Sequence, residues 1–127
     1  MATMRTLESE SYAAGADLST KQYYVVKISA ADTVVLATSA SRNVGVLQNK
    51  PKSGEAATVM QLGISKVISD GSGTAIAPGD PLISDSSGRV IKSDGTTGHN
   101  VLGWATEASS AANVIIGIDL TRGPYVV

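Results

Sequence analysis

Few residues of this 127-residue chain have side chains that support catalysis or metal binding. His99 is the only histidine and lies in a polar, glycine-bounded loop. There is no second histidine around which a Ser-His-Asp arrangement or a histidine metal cluster could form. The chain has no cysteine, which excludes thiolate nucleophiles, thiolate zinc sites and disulfides. We therefore interpret His99 as a solvated loop residue.

The aspartates in the second half of the sequence offer a carboxylate site for a cation as an alternative. Asp80, Asp85 and Asp94 each lie in a turn sequence, where aspartate accepts local backbone hydrogen bonds, and the spacing of a calcium-binding EF-hand loop is absent. The glycine-rich stretch 69–73 carries no lysine and leads into no helical pattern, so it is not a phosphate-binding loop. We predict no catalytic, cofactor-binding or metal-binding residue and no enzymatic activity.

Size and composition favour one small all-β domain. The chain has thirteen glycines, one tryptophan and no phenylalanine, so valine, isoleucine, leucine and alanine must fill its core. The net charge of −1 provides no field that attracts nucleic acid or an anionic membrane. No apolar run approaches the roughly 20 residues of a membrane-spanning helix, and the polar N-terminus does not resemble a signal peptide.

The clearest β pattern is the stretch Asn43–Ile68, which predicts a hairpin. Pro51 bars a helix there and Ser53-Gly54 supplies turn residues. In the second strand the even-numbered residues of 58–64 share a face that we predict to be the apolar one. The pattern changes parity after Gly63, which predicts a β-bulge or a bend at a barrel corner.

Shorter patterns on either side predict further strands. They cover residues 22–29, 33–37, 82–83, 90–91, 101–105 and a return strand to residue 120, and Pro124 is expected to end the last one. Pro78-Gly79 suits a type II turn. The prediction is an all-β, single-domain β-barrel or sandwich with short hairpins and an extended N-terminal arm. A lipoyl-type carrier domain is a weak alternative, because the turn at 85–88 lacks the lysine that carries the cofactor.

The two ends of the chain differ from its middle, so we divide it into an N-terminal arm (1–16), a β-domain (17–121) and a C-terminal tail (122–127). The arm is polar and is either a disordered tail or a segment ordered by another subunit, with Met4, Leu7 and Tyr12 as spaced anchors. Trp104 is either a core residue or a subunit-contact anchor, and Tyr125 belongs to an apolar tail that needs a partner surface.

Four segments carry a resemblance to a known family: ADLSTKQYYVVK (16–27), GVLQNKPKSGEAATV (45–59), the Pro-Gly-Asp segment 76–82, and GWATEASSAANVIIGIDL (103–120). Together they resemble the small capsid decoration, or cement, proteins of tailed bacteriophages over about residues 16–120. The acidic N-terminal segment and the residues after 120 depart from the family pattern. The resemblance implies a β-rich protein that binds the outside of a mature phage head, often as a trimer, and reinforces it.

The resulting expectation is a virion protein, made in the host cytoplasm, that binds the major capsid protein as a homotrimer without cofactor, nucleic acid or membrane. Its expected capsid or subunit contacts are Met4, Leu7, Tyr12, Trp104 and Tyr125. A carbohydrate- or host-surface-binding β-module of a virion is the alternative, and it requires an exposed aromatic platform. A small hydrolase is disfavoured by the single histidine and the absence of cysteine.

Overall fold

The described part of the chain is built from strands. A computed structural model describes residues 5–96 and 99–126. Its nine strands are β1 (Arg5–Ala14), β2 (Val25–Ala30), β3 (Thr33–Leu36), β4 (Gly45–Leu47), β5 (Ala56–Asp70), β6 (Pro81–Ser84), β7 (Val90–Lys92), β8 (Asn100–Ala105) and β9 (Ala112–Val126). The all-β prediction is confirmed. None of the described residues forms a helix long and apolar enough to cross a membrane.

The strand pairings close into two rings that share β5. The sheet order is β1-β3-β2-β4-β5-β7-β6-β8-β9, and additional pairings join β1 to β5 and β5 to β9. We call β1, β3, β2, β4 and β5 the first ring, and β5, β7, β6, β8 and β9 the second ring. Ring closure leaves few free sheet edges, which explains how such short strands make a stable domain.

Strands β2, β4 and β5 separate two apolar cores, one inside each ring. On each of these strands, two consecutive residues belong to different cores. On β5, Val59 belongs to the first-ring cluster and Met60 to the second. The same division occurs on β2 and β4, where the pairs are Val25 with Val26 and Val46 with Leu47. Strands buried on both faces have continuous apolar sequence instead of alternation. Leucine, valine and alanine fill both cores without phenylalanine.

The predicted apolar face of the 58–64 segment is wrong. Val59 and Ser65 are fully buried, whereas Leu62 and Ile64 are only half-buried. The parity fails because the strand is buried on both faces at residues 59–60 and then changes register. The predicted irregularity near Gly63 is confirmed: the β1–β5 ladder shifts register at Gln61, and Gly63 has a φ of 112°.

The N-terminal strand is ordered against its own chain, whereas the sequence suggested either a disordered tail or an arm ordered by another subunit for residues 1–16. Residues 5–13 pair antiparallel with β5 of the same chain, and Ala13 and Ala14 also pair in parallel with β3. Backbone hydrogen bonds order this polar segment, and its buried Ala14 and half-buried Tyr12 enter the first-ring core. A low apolar content therefore did not imply that the segment needed a second molecule.

The last strand also passes its predicted end, so the expectation that Pro124 terminates it is wrong. β9 continues to Val126, where it pairs with Asn100 of β8. The β8–β9 register is irregular between Gly103↔Leu120 and Val101↔Tyr125, and Pro124 lies in that irregular stretch. Proline is tolerated there because no regular ladder bond requires its missing N–H.

Candidate functional site

The expected contact residues do not meet in one place among the described residues. Met4 lies outside the described residues. Leu7 lies in β1 at a register shift, and Tyr125 pairs with Val101 near the end of β9. Tyr12 belongs to the first ring and Trp104 to the second. The four described residues of this set therefore lie on different parts of the fold.

Tyr12 has a structural role within its own chain. Its hydroxyl accepts a 2.7 Å hydrogen bond from the side-chain nitrogen of Gln61, and its ring packs against the first-ring core. Gln61 is the residue that the β1–β5 ladder skips, so this bond fixes the register shift in place. The side chain is half-buried, which leaves part of the ring accessible.

Two of the three exposed large apolar side chains among the described residues lie on the outside of the second ring. Trp104 on β8 is 38% exposed and Ile115 on β9 is 47% exposed. Directly opposed residues of paired strands lie on the same side of a sheet. Trp104 opposes Asp119, and Asp119 and Ile115 are an even number of residues apart on β9, so the Trp104 and Ile115 side chains lie on one face of the sheet. We define this outer face as the side chains of Ile64, Lys66 and Ile68 on β5, Ile115 and Asp119 on β9, and Trp104 on β8.

The outer face combines apolar patches with opposite charges. Ile68 opposes Ile115 at one end, while Asp119 lies between Ile64 and Trp104 at the other. The Lys66 ammonium lies between these ends, 5.8 Å from the centre of the Tyr23 ring. A surface with tryptophan, isoleucine and a few charges matches the composition of protein–protein contact sites.

The sequence singled out Trp104, as a core residue or a subunit-contact anchor, and did not single out Ile115. Along 114–120 the side chains of Ile116, Ile118 and Leu120 are buried and that of Val114 is half-buried, while Ile115 points outward. An isoleucine at an outward position was itself the available signal. The strand pairing places Ile115 opposite Ile68 and on the same face of β9 as Asp119, which opposes Trp104.

A polar cluster at one end of the second ring performs a structural task. The Arg89 guanidinium lies 2.9 Å from an Asp85 oxygen, 3.3 Å from an Asp70 oxygen and 3.2 Å from the Asn113 side-chain oxygen. It thus connects the end of β5, the β6–β7 turn and the start of β9. Hydrogen bonds from Ser72, with a smaller contribution from Arg89, hold the pKa of Asp70 below its usual value.

The aspartates that suggested a cation site are occupied by local hydrogen bonds. Asp85 accepts bonds from the backbone of Ser87 and Arg89, Asp80 from the backbone of Ala77, and Asp94 from that of Thr96. These are the turn interactions expected from the sequence. Among the residues that the structure describes, no group of three potential ligands is arranged to hold a metal ion.

Comparison with known proteins identifies the class of this molecule. A family model for phage cement proteins matches residues 12–120, so the chain belongs to the phage cement protein family. This family decorates and stabilises phage capsids, which confirms the resemblance and the role expected from the sequence. The family is structural, and its location is the capsid of the virion.

A solved structure with a similar fold also comes from a phage head. It is the head fiber gp8.5 N base of bacteriophage phi29, which is 20% identical to this chain with a TM-score of 0.69. The match covers 97% of this chain and 98% of that one, so the whole double-ring fold is shared. No curated protein matches the sequence.

Proposed function

We propose that the protein binds the outer surface of the mature phage head as a homotrimer and contacts the major capsid protein. The observation that carries this proposal is the outer face, which places Trp104 and Ile115 on adjacent paired strands of a protein from a capsid-binding family. Aromatic side chains near the centre of an interface commonly supply most of its binding energy.

The N-terminal and C-terminal residues extend the proposed contact. Met4, Leu7 and Tyr12 are the proposed contacts near the start of the chain, and Tyr125 is the one near its end. β1 and β9 both pair with β5 at Gly63 and Ile64, so the two strands that carry these residues flank the shared strand there.

Capsid stabilisation follows from thermodynamic linkage. A protein that binds the closed shell and not its loosened form stabilises the closed form by RT ln(1 + [L]/Kd), about 2.7 kcal/mol per site at a hundredfold excess over Kd. Many sites on one shell multiply this effect. A trimer adds avidity, because one subunit holds the shell while another rebinds.

Co-sedimentation with emptied capsids tests the proposed surface. Trp104→Ala is expected to weaken binding at least tenfold, because truncating an interface aromatic commonly costs about 2 kcal/mol or more. Ile115→Ser should weaken it less. The matched control is Ile28→Ser, which changes an isoleucine that is 52% exposed on β2 of the first ring. If Trp104→Ala and Ile115→Ser bind like the control, the capsid does not contact the outer face.

Sedimentation of the purified protein tests the oligomeric state. The proposal expects a trimer in solution or on the shell. Isolated monomers in the density of decorated capsids would contradict it.

A further inference from the structure

The N-terminal strand is held to β5 unevenly along its length. Pairing is continuous over Ser9–Ala13. Two register shifts then interrupt the ladder, one at Leu7 and one at Gln61. Beyond them, only Arg5 and Thr6 pair with β5 again. We call Arg5–Glu8 the tip and Ser9–Ala14 the body of β1.

The body is fixed by one side-chain hydrogen bond and by backbone bonds to three other segments. The Gln61 side chain donates to the Tyr12 hydroxyl and thereby marks the boundary between the two parts. Backbone bonds then tie the end of the body to three other segments; they run from Ala13 N to Asp32 O, from Ala14 N to Glu55 O and from Gly15 N to Val34 O. Separating the body from β5 requires breaking all of these bonds together, whereas the tip lies beyond them.

Neither ring needs the tip for closure. The first ring is closed by the body, which pairs with β5 over Ser9–Ala13 and with β3 at Ala13 and Ala14. At Gly63 and Ile64, where the tip pairs, β5 also pairs with β9. The second ring therefore stays closed through β9 when the tip leaves.

We propose that the tip is a releasable segment: it detaches from β5 at the register shifts around Leu7 when the protein docks, while the body stays in place. The tip then exchanges its backbone bonds with β5 for bonds to an exposed strand edge of the capsid protein. Strand addition of this kind needs an extended segment and no apolar sequence, which the polar tip provides. The inference rests on the proposed capsid binding and describes how that binding is gated.

A disulfide lock tests the release directly, since the natural chain has no cysteine. Arg5→Cys with Ile64→Cys places the two thiols on opposed residues of the tip and β5. Ser11→Cys with Thr58→Cys makes the matched lock in the body. Directly opposed strand residues bring Cβ atoms within the range that a disulfide spans.

We expect the tip lock to weaken capsid binding and the body lock to leave it unchanged. The oxidised tip lock should bind emptied capsids at least tenfold more weakly than its own reduced form, which carries the same Ile64→Cys change in the outer face, while the oxidised body lock should bind like its reduced form. Wild-type affinity of the oxidised tip lock would overturn the proposal. Failure of the wild type itself to bind capsids would instead contradict the proposed function, so the two failures are distinguishable.

Hydrogen exchange of the unmodified free protein provides a test that needs no substitution. Protected amides of the tip should exchange at least tenfold faster than those of Ser9–Ala13, because the tip opens without the body. Equal protection across the whole of β1 would show that the strand opens as one unit and would overturn the proposal.

Discussion

The two rings share β5 but are closed in different ways. The first ring is closed by β1, and of its side chains from Ser9 to Ala14, Ser9, Glu10 and Ser11 are exposed while Tyr12 and Ala14 reach the core. The second is closed by β9, whose Ile116, Ile118 and Leu120 are buried, and is further tied by Arg89. Backbone pairing closes both rings, but buried apolar side chains of the closing strand contribute more to the second, so the rings should respond differently to the same kind of change.

Removal of the closing strand should have the largest effect. Deleting residues 2–14 leaves β5 and the first-ring core uncovered, since it removes a complete ladder and the Tyr12 and Ala14 contacts. We expect the melting temperature to fall by more than 10 °C, because a loss of about 1 kcal/mol shifts the melting temperature of such a domain by roughly 4 °C. An unchanged melting temperature would show that the first ring does not depend on β1.

Two glycines allow a direct comparison of the rings. A Cβ at Gly45 would lie 2.1 Å from the Met60 carbonyl oxygen, and one at Gly103 would lie 2.3 Å from the Asp119 oxygen. Both obstacles are backbone, so Gly45→Ala and Gly103→Ala should each cost about 3 kcal/mol or more. Gly45 also has a φ of 146°, which makes its substitution the more costly.

Gly73→Ala is the matched control for this pair, because a Cβ there meets no atom within 4 Å. Its denaturant midpoint should stay close to that of the wild type. If all three variants lose the same stability, close strand approach is not what the two glycines provide.

The Arg89 connection should contribute only to the second ring. Arg89→Met keeps most of the aliphatic stem but leaves the Asp85 and Asp70 carboxylates without their cation. The side chains are partly exposed, so we expect a loss of about 1–2 kcal/mol in urea unfolding. Hydrogen exchange should rise at the β6–β7 turn and the start of β9 and stay unchanged in β2 and β3.

Acid should weaken the same connection. The pKa of Asp70 is lowered mainly by hydrogen bonds from Ser72, so its contribution to stability is present above the unfolded-state pKa and is lost as the pH falls through the lower folded-state pKa. Wild-type stability should therefore fall below about pH 4. Asp70→Asn should show a smaller fall over that range, and an identical pH profile would contradict this role.

The smallest expected effect concerns the Tyr12 hydroxyl. Tyr12→Phe removes the hydrogen bond from Gln61 but keeps the ring in the first-ring core. Because Gln61 is half-buried and keeps access to water, the loss should be about 1 kcal/mol. Tyr12→Ala removes the packing as well and should cost clearly more in the same urea titration.

The sequence allowed most strands to be predicted, because alternation and turn residues are local signals. The Leu82-Ile83 and Val90-Ile91 hairpin and the type II turn with its positive φ at Gly79 are present as expected. The double ring was not predictable in this way, since closure depends on β5 pairing with strands from both ends of the chain. Local patterns contain no information on such long-range partners.

The candidate site was predictable only in part. Trp104 stood out by residue type, whereas Ile115 became significant through its cross-strand neighbours. Arg89 was missed because its partners lie on three separate segments. The sequence did not predict that the polar N-terminal segment is an ordered strand. Backbone hydrogen bonds to β5 order it, and such bonds leave no apolar pattern in the sequence.

The central claim is that this protein stabilises the phage capsid by binding it. The most direct test is the temperature at which DNA-filled heads release their DNA, measured with and without added protein. We expect the release temperature to rise with occupancy and to level off when the binding sites are filled, and Trp104→Ala should need at least ten times more protein for the same rise. Full occupancy with no change in the release temperature would contradict the claim.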